Sequence, residues 1–409
     1  MNLPDLLAGR TLPALAPSEL VRYGRHLTLP SIGMVGQQRL KSARVLLVGA
    51  GGLGSPLGLY LAAAGIGCIG VVDSDRVEAS NLQRQVLFGQ SDVGRPKVEV
   101  AQERIGEINP HVAVEAHGLR LDADNVSELI EPYDVVVDGS DNFPTRYLIN
   151  DACVLCGKPE VWGAVQRFEG QVAVFWSQQG PCYRCLFPEP PPAGMVPSCA
   201  QAGVLGMLPG MVGAMQANEV IKLLVGAGQP LIGRLLVLDA LAAAVRTVRL
   251  QKSPECPICG PRATIHAPIA YHDRCDARQA EANAGANAGA GAGDRAVSRG
   301  ASDVPFEIDS HELRCWQGEG REIVLLDVRE PYERQICRLE GSVGMPLGTL
   351  ADHASGLDPH QLTVVYCHHG TRSAQAVAFL RRKGFSRTAN LGGGIDAWSL
   401  DIDPTLPRY

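Results

Sequence analysis

RVLLVGAGGLGSPLGLYLAAAG, residues 44–65, is the stretch on which the fold turns. Its first residues are β-branched or leucine and suit a buried strand, and its last part, SPLGLYLAAAG, has the composition of a helix. Between them lies GAGGLG, residues 49–54. Glycines at a strand-to-helix turn allow a tight bend and close backbone approach to phosphates, and the amides at the helix start bind the anion. CIGVVD (68–73) and DVVVDGS (134–140) read as further strands, so elements alternate in α/β fashion. Asp73 closes the next strand where an acidic side chain would grip a ribose hydroxyl, which fits a nucleotide without choosing between NAD and ATP. Taken alone, the same glycines also suit a turn in a nucleotide-free α/β fold.

Working outward, 409 residues with 45% hydrophobic and 20% charged composition allow roughly two or three globular domains. A net charge of −6 with no long basic stretch gives no electrostatic footprint for nucleic acid, so no nucleic-acid partner is expected. The start, MNLPDLLAGR, lacks the basic and apolar regions of a secretory signal. A cytoplasmic setting follows, in which the 12 cysteines are metal-bound or reactive rather than paired as disulfides. Residues 45–72 are uncharged over a length that imitates a membrane span, but the glycine cluster argues against one. The Ala/Gly/Asn-rich tract at 277–303 can build no core and reads as a tether with a span of roughly 30 Å. The expected organisation is a nucleotide-binding domain at 1–270, a linker at 271–303 and a small α/β domain at 304–409.

Four more stretches place polar groups near strand ends or helix starts: RYGRHL (22–27), SNLQRQ (80–85), VGRPKVEVA (93–101) and DGSDN (138–142). With GAGGLG, this ordered set resembles the ubiquitin-activating-enzyme-like adenylyltransferases of the MoeB/ThiF type, from about residue 18 to residue 260. The resemblance implies a Rossmann-like domain with a mainly parallel sheet that uses ATP and Mg²⁺ to adenylate a small protein's C-terminal Gly-Gly carboxylate. It implies nucleotide contacts from Gly49, Gly51, Gly52, Gly54, Asp73, Asn81, Arg84, Lys97, Asp141 and Asn142, with Asp73 on the ribose, Arg84 and Lys97 on phosphates, and Asp141 near magnesium. Arg25 matches an arginine supplied across a homodimer interface, and His26 stands where glutamine is common. The chemistry suits these residues, because carboxylate attack at the α-phosphorus gathers negative charge that fixed cations must offset. Surface salt bridging would be the plain alternative for Arg84 or Lys97 taken singly.

CYRC (182–185) and CPIC (256–259) are two cysteine knuckles beside proline or glycine. Two such knuckles make a tetrahedral thiolate site, and the resemblance places Cys182, Cys185, Cys256 and Cys259 together around a structural Zn²⁺. Cys153 and Cys156 form a rival C-x-x-C, but in a helical pattern where small core residues fit. Cys199, in MVPSCAQAGV after a proline-rich stretch, sits in an expected loop. Its position matches a loop cysteine that some relatives use for covalent transfer or persulfide resolution, the alternative being an idle thiol.

LLDVREPYE (325–333), CHHGTRS (367–373) and GGIDAW (393–398) resemble the rhodanese, or sulfurtransferase, family over nearly the whole last domain. The resemblance implies a loop of backbone amides around Cys367, with Arg372 and a helix start beside the sulfur, favouring thiolate and stabilising a persulfide. Four residues separate Cys367 from Arg372, whereas related phosphatases place five there, so sulfur is favoured over phosphate.

Together the two resemblances imply ATP-dependent adenylation of a ubiquitin-like sulfur-carrier protein and attack by the Cys367 persulfide, giving a protein thiocarboxylate, with Cys199 as the releasing thiol. Cysteine desulfurase or thiosulfate would supply sulfur. Molybdopterin synthesis is the expected pathway; carriers for thiamine, cysteine, tRNA thiolation or a specialised metabolite would use the same chemistry. An NAD-dependent oxidoreductase leaves Arg84, Lys97 and Asp141 unexplained, and a non-enzymatic scaffold leaves both reactive sets unexplained.

Overall fold

The computed structural model describes residues 4–190, 203–270 and 304–408. They belong to two compact units divided between Asn287 and Ala288. The tract read as a linker, 271–303, lies outside the described residues, as does Cys199.

The first unit is built on an eight-stranded sheet. Its strands are β1 (Arg44–Val48), β2 (Cys68–Val72), β3 (Ala113–His117), β4 (Val135–Asp138), β5 (Glu160–Gln166), β6 (Glu169–Phe175), β7 (Arg234–Asp239) and β8 (Ala244–Arg249), in the order β3-β2-β1-β4-β5-β6-β7-β8. The first five are parallel and the last three antiparallel. The alternation of side chains along β1 explains its two-sided burial. Val45 and Leu47 join the core shared with the helices Gly54–Ala64, Lys97–Ile108 and Met207–Val225, while Leu46 and Val48 join the core under Val126–Ile130 and Phe143–Leu155. The run that imitated a membrane span is therefore a strand, a helix and a second strand of the first unit's core. Among the described residues no helix is long and apolar enough to cross a membrane.

Strand order reverses between β1 and β4, and at such a switch point the connecting loops diverge to leave a crevice at the carboxyl ends of the strands. Gly49 makes the crevice possible. Its φ is +89°, and a Cβ there would meet the Gly139 carbonyl oxygen at 3.0 Å, so the loops after β1 and β4 touch only because no side chain intervenes.

The second unit holds five parallel strands: β9 (Glu307–Ile308), β10 (Val324–Asp327), β11 (Val343–Gly344), β12 (Thr363–Tyr366) and β13 (Thr388–Leu391), ordered β11-β10-β12-β13-β9. Helices Ser310–Gly318 and Gly394–Asp401 supply Leu313, Ile395 and Trp398 to one core, and Thr371–Arg382 supplies Ala376, Val377 and Leu380 to another. The expected architecture, a Rossmann-like unit followed by a small α/β unit, is the one present.

Candidate functional site

A cavity of about 410 Å³ opens at the switch point of the large sheet. Gly49, Gly51, Gly52, Asp73, Arg84, Lys97, Asp141 and Asn142 all line it, although their sequence positions span most of the first 142 residues of the chain. Asp73 is fixed by two backbone donors: Ala50 N–H reaches Oδ2 at 2.9 Å and Asp75 N–H reaches Oδ1 at 2.8 Å. Burial nonetheless raises its pKa, with Lys97 pulling the other way. Lys97 begins its helix with its side chain 7% exposed, its Nζ 2.8 Å from Asp75 Oδ2 and 3.9 Å from Asp73 Oδ2. Asp141 is exposed in the cavity wall, where one carboxylate together with substrate phosphates and water is the usual way to hold Mg²⁺.

Four of the expected residues have other work as well, or stand elsewhere. Asn142 Oδ1 accepts from Thr145 N–H at 2.9 Å, capping the Phe143–Leu155 helix. Asn81 is buried in the turn that carries Arg84, its Oδ1 accepting from Glu78 N–H at 3.2 Å, and is not among the cavity-lining residues. Arg25 is exposed on the short helix Gly24–Leu27 and does not line this chain's own cavity. Gly54 begins the helix behind the glycine turn.

The two cysteine knuckles meet although 74 residues separate them. Cys182 Sγ lies 3.8 Å from Cys185 Sγ and 3.5 Å from Cys256 Sγ, and Cys185 Sγ lies 3.4 Å from Cys259 Sγ. All four sulfurs fall within 4.8 Å of one another. Thiolates about 2.3 Å from a tetrahedral zinc stand about 3.8 Å apart, so this cluster is of the size that ion requires. Cys153 instead packs in the core beneath Phe143–Leu155, with Cys156 beside it. The first knuckle is anchored by an unanticipated residue: Arg184, 2% exposed, grips the buried Asp151 through Nε at 2.6 Å and Nη2 at 2.7 Å.

In the second unit, Cys367 follows β12 and is 2% exposed. Gly370 N–H donates to its Sγ at 3.1 Å, and the Ser373 hydroxyl stands 3.4 Å from the same sulfur. The loop is backed by Gly394, whose φ is +62°. A Cβ there would strike the His368 and Cys367 carbonyl oxygens at 2.3 and 2.5 Å, so Ile395 and Asp396 can donate their N–H groups to those oxygens at 3.0 and 3.1 Å. Arg372 is clasped by Glu333, with nitrogen-to-oxygen distances of 2.6 and 2.7 Å. His368 is buried against His369, their ring centroids 4.1 Å apart. Burial, and then that neighbour, push its pKa down to about 4, so its ring is neutral at pH 7.

The model of the ThiF family matches residues 23–258, which include the cavity and both cysteine knuckles up to Ile258. The chain belongs to the ThiF family. A rhodanese-like domain model matches residues 310–401. Over its whole length the chain is 45% identical to a probable adenylyltransferase/sulfurtransferase MoeZ of Mycobacterium tuberculosis, covering 99% of that protein. Over 64% of the chain it is 55% identical to a sulfur carrier protein adenylyltransferase of Thermus thermophilus, covering 98% of that protein. The fold is similar to that of E. coli MccB crystallised with AMPCPP and MccA, at 26% identity and a TM-score of 0.53, over 58% of this chain and 74% of that one.

Within this ThiF-family unit, Arg184, Asp151, Arg146 and Glu160 escaped sequence reasoning, as did Glu333 and Ser373 in the rhodanese-like unit. Asp151 had a usable signal. In INDACVL an acid sits among apolar residues at helical spacing, and a buried acid demands a partner.

Proposed function

We propose that the chain adenylates the C-terminal Gly-Gly carboxylate of a small ubiquitin-like sulfur-carrier protein and then passes sulfur to it from Cys367. One observation carries this reading: a single cavity at the strand ends is lined from five separate stretches of sequence by an acid suited to ribose, two cations suited to phosphates and an exposed carboxylate suited to Mg²⁺. The carrier carboxylate attacks the α-phosphorus of ATP and pyrophosphate leaves. Lys97 and Arg84 offset the charge that accumulates, and Asp141 would hold Mg²⁺, whose chemistry here is neutralisation of phosphate charge. Arg25 would come from the second copy of a homodimer. Cys182, Cys185, Cys256 and Cys259 would hold Zn²⁺, which as a closed thiolate site cross-links the fold and leaves no reactive position.

The second half-reaction begins with a persulfide on Cys367. The buried thiol, held by the Gly370 amide and the Ser373 hydroxyl, is poorly placed to meet a large acyl-adenylate, whereas a persulfide would carry its reactive terminal sulfur about 2 Å from Sγ. That terminal sulfur attacks the activated carbonyl and AMP leaves, giving an acyl disulfide. Cys199 attacks the Cys367 sulfur, releasing the carrier thiocarboxylate and leaving a Cys199–Cys367 disulfide for an external thiol to reduce. The persulfide is supplied by a cysteine desulfurase or thiosulfate, and molybdopterin synthesis is the pathway we favour.

ATP–pyrophosphate exchange tests the first step directly. Exchange that needs both ATP and a carrier ending in Gly-Gly is expected; carrier binding without exchange would make the chain a scaffold and overturn the reading.

A further inference from the structure

Behind the wall of the nucleotide cavity lies a buried acid pair. Glu160 opens β5, is 1% exposed, and neither of its carboxyl oxygens has a hydrogen-bond partner among the described residues. Its register partner on β4 is Val136, two residues before Asp138, so both acids project from neighbouring strands on one face. Asp138 is fully buried. Its Oδ1 accepts from Ser140 N–H at 2.8 Å, while its Oδ2 has no partner among the described residues. Arg146, which lines the cavity and donates through Nη2 to the Ser140 carbonyl oxygen at 3.2 Å, keeps a buried Nε that is likewise unmatched. The other titratable groups facing Glu160 are Asp151, whose charge is taken up by Arg184, and Cys153 and Tyr183, both buried.

A carboxylate with no donor in so dry a place is strongly disfavoured, and two neighbouring acids cannot both ionise cheaply. Of the two, Asp138 has a backbone donor and Glu160 has none. We propose that Glu160 carries a proton at neutral pH and bonds through it to Asp138, directly or across one enclosed water, so that Asp138 alone balances Arg146 and holds it in the cavity wall. Burial raises the pKa of both acids, that of Glu160 well above its ordinary value, with Arg146 opposing the rise in each and Asp141 adding to that of Asp138. Glu160 touches no reactant on this reading; it is a positioning residue acting through Arg146. Its consequence for turnover rests on the adenylation proposed above, whereas the proton itself does not.

Infrared spectroscopy of the full chain tests the proton, comparing unlabelled protein with protein carrying ¹³C only at glutamate side-chain carboxyls. A protonated-carboxyl band at neutral pH that shifts with the glutamate label, and is lost in Glu160→Gln, is the expected result. In the wild type this band should fade at alkaline pH while KM for ATP in pyrophosphate exchange rises severalfold, and Glu160→Gln should lose that alkaline rise. Absence of any glutamate-derived protonated band at neutral pH overturns the proposal, as does its persistence in the variant. Should Glu160→Gln fail to fold, the label shift in the wild type still decides. A band without exchange activity in the wild type would remove the adenylation reading and leave the proton assignment standing.

Discussion

Replacing Lys97 by alanine separates catalysis from stability. Its nearest partner, Asp75, is 67% exposed, so that pair contributes at most about 1 kcal/mol to the fold. The second partner, Asp73, keeps its two backbone donors after the substitution. The rate cost is larger: loss of one preorganised donor to developing charge is worth about 10²–10³ in rate, or roughly 2.7–4 kcal/mol. Lys97→Ala should therefore reduce carrier-dependent ATP–pyrophosphate exchange by at least two orders of magnitude on this scale, while the melting temperature moves by only a few degrees. A finer consequence concerns Asp73. Burial already raises its pKa and Lys97 opposes the rise, so without Lys97 the carboxyl binds its proton to a higher pH. If ribose binding needs the carboxylate, residual KM for ATP in the variant should improve from mildly acidic to neutral pH by more than it does in the parent. Exchange within about tenfold of the parent, in a variant that melts normally, would refute the role given to Lys97.

Three other perturbations probe the remaining parts. Purified protein should hold one zinc per chain, and Cys182→Ser with Cys256→Ser should abolish metal binding and lower the melting temperature, because thiolate zinc couples to folding; full retention of metal would move the ligands elsewhere. Cys367→Ala should leave pyrophosphate exchange intact yet stop sulfur transfer to cyanide and to the carrier, with Ser373→Ala and Arg372→Ala weakening it; thiocarboxylate formed at the normal rate by Cys367→Ala would exclude this cysteine as the sulfur carrier. Arg184→Met strands the buried Asp151 charge and should cost about 3–5 kcal/mol in a denaturant titration, with Asp151→Leu restoring much of it; an unchanged midpoint in the single variant would mean that the pair stabilises nothing.

The difference between what was readable and what was not follows from the range of the interactions concerned. The glycine turn, Asp73 and Cys367 follow from strand, turn and helix-start chemistry within a few residues, so the sequence carries them explicitly. The four-cysteine cluster was readable only as two knuckles, and joining them across 74 residues took a family resemblance, because spacing does not specify which turns meet. Glu333 lay inside a quoted motif but is 39 residues from Arg372, and nothing local says that its carboxylate will clasp that guanidinium.

Glu160 lies furthest from sequence reasoning, since KPEVWGAV gives an acid at a strand start where exposure is the ordinary outcome. Its burial is decided by the parallel register of β5 on β4, which sets it on the face covered by Phe143–Leu155 and beside Asp138. The same β4, paired along its other edge with β1, carries the 139–142 loop, with Asp141 and Asn142, into the cavity wall. One strand, β4, thus serves both the nucleotide site and the dry layer behind it, into which its pairing with β5 forces an acid. An apolar residue would fill that layer at lower cost to folding, yet would take from Asp138 Oδ2 the proton donor proposed above. Glu160→Leu should accordingly be tolerated or even stabilising in a thermal melt while loosening Arg146 and raising KM for ATP; a stabilised variant with an unaltered KM would show that the acid pair and the nucleotide site are merely neighbours.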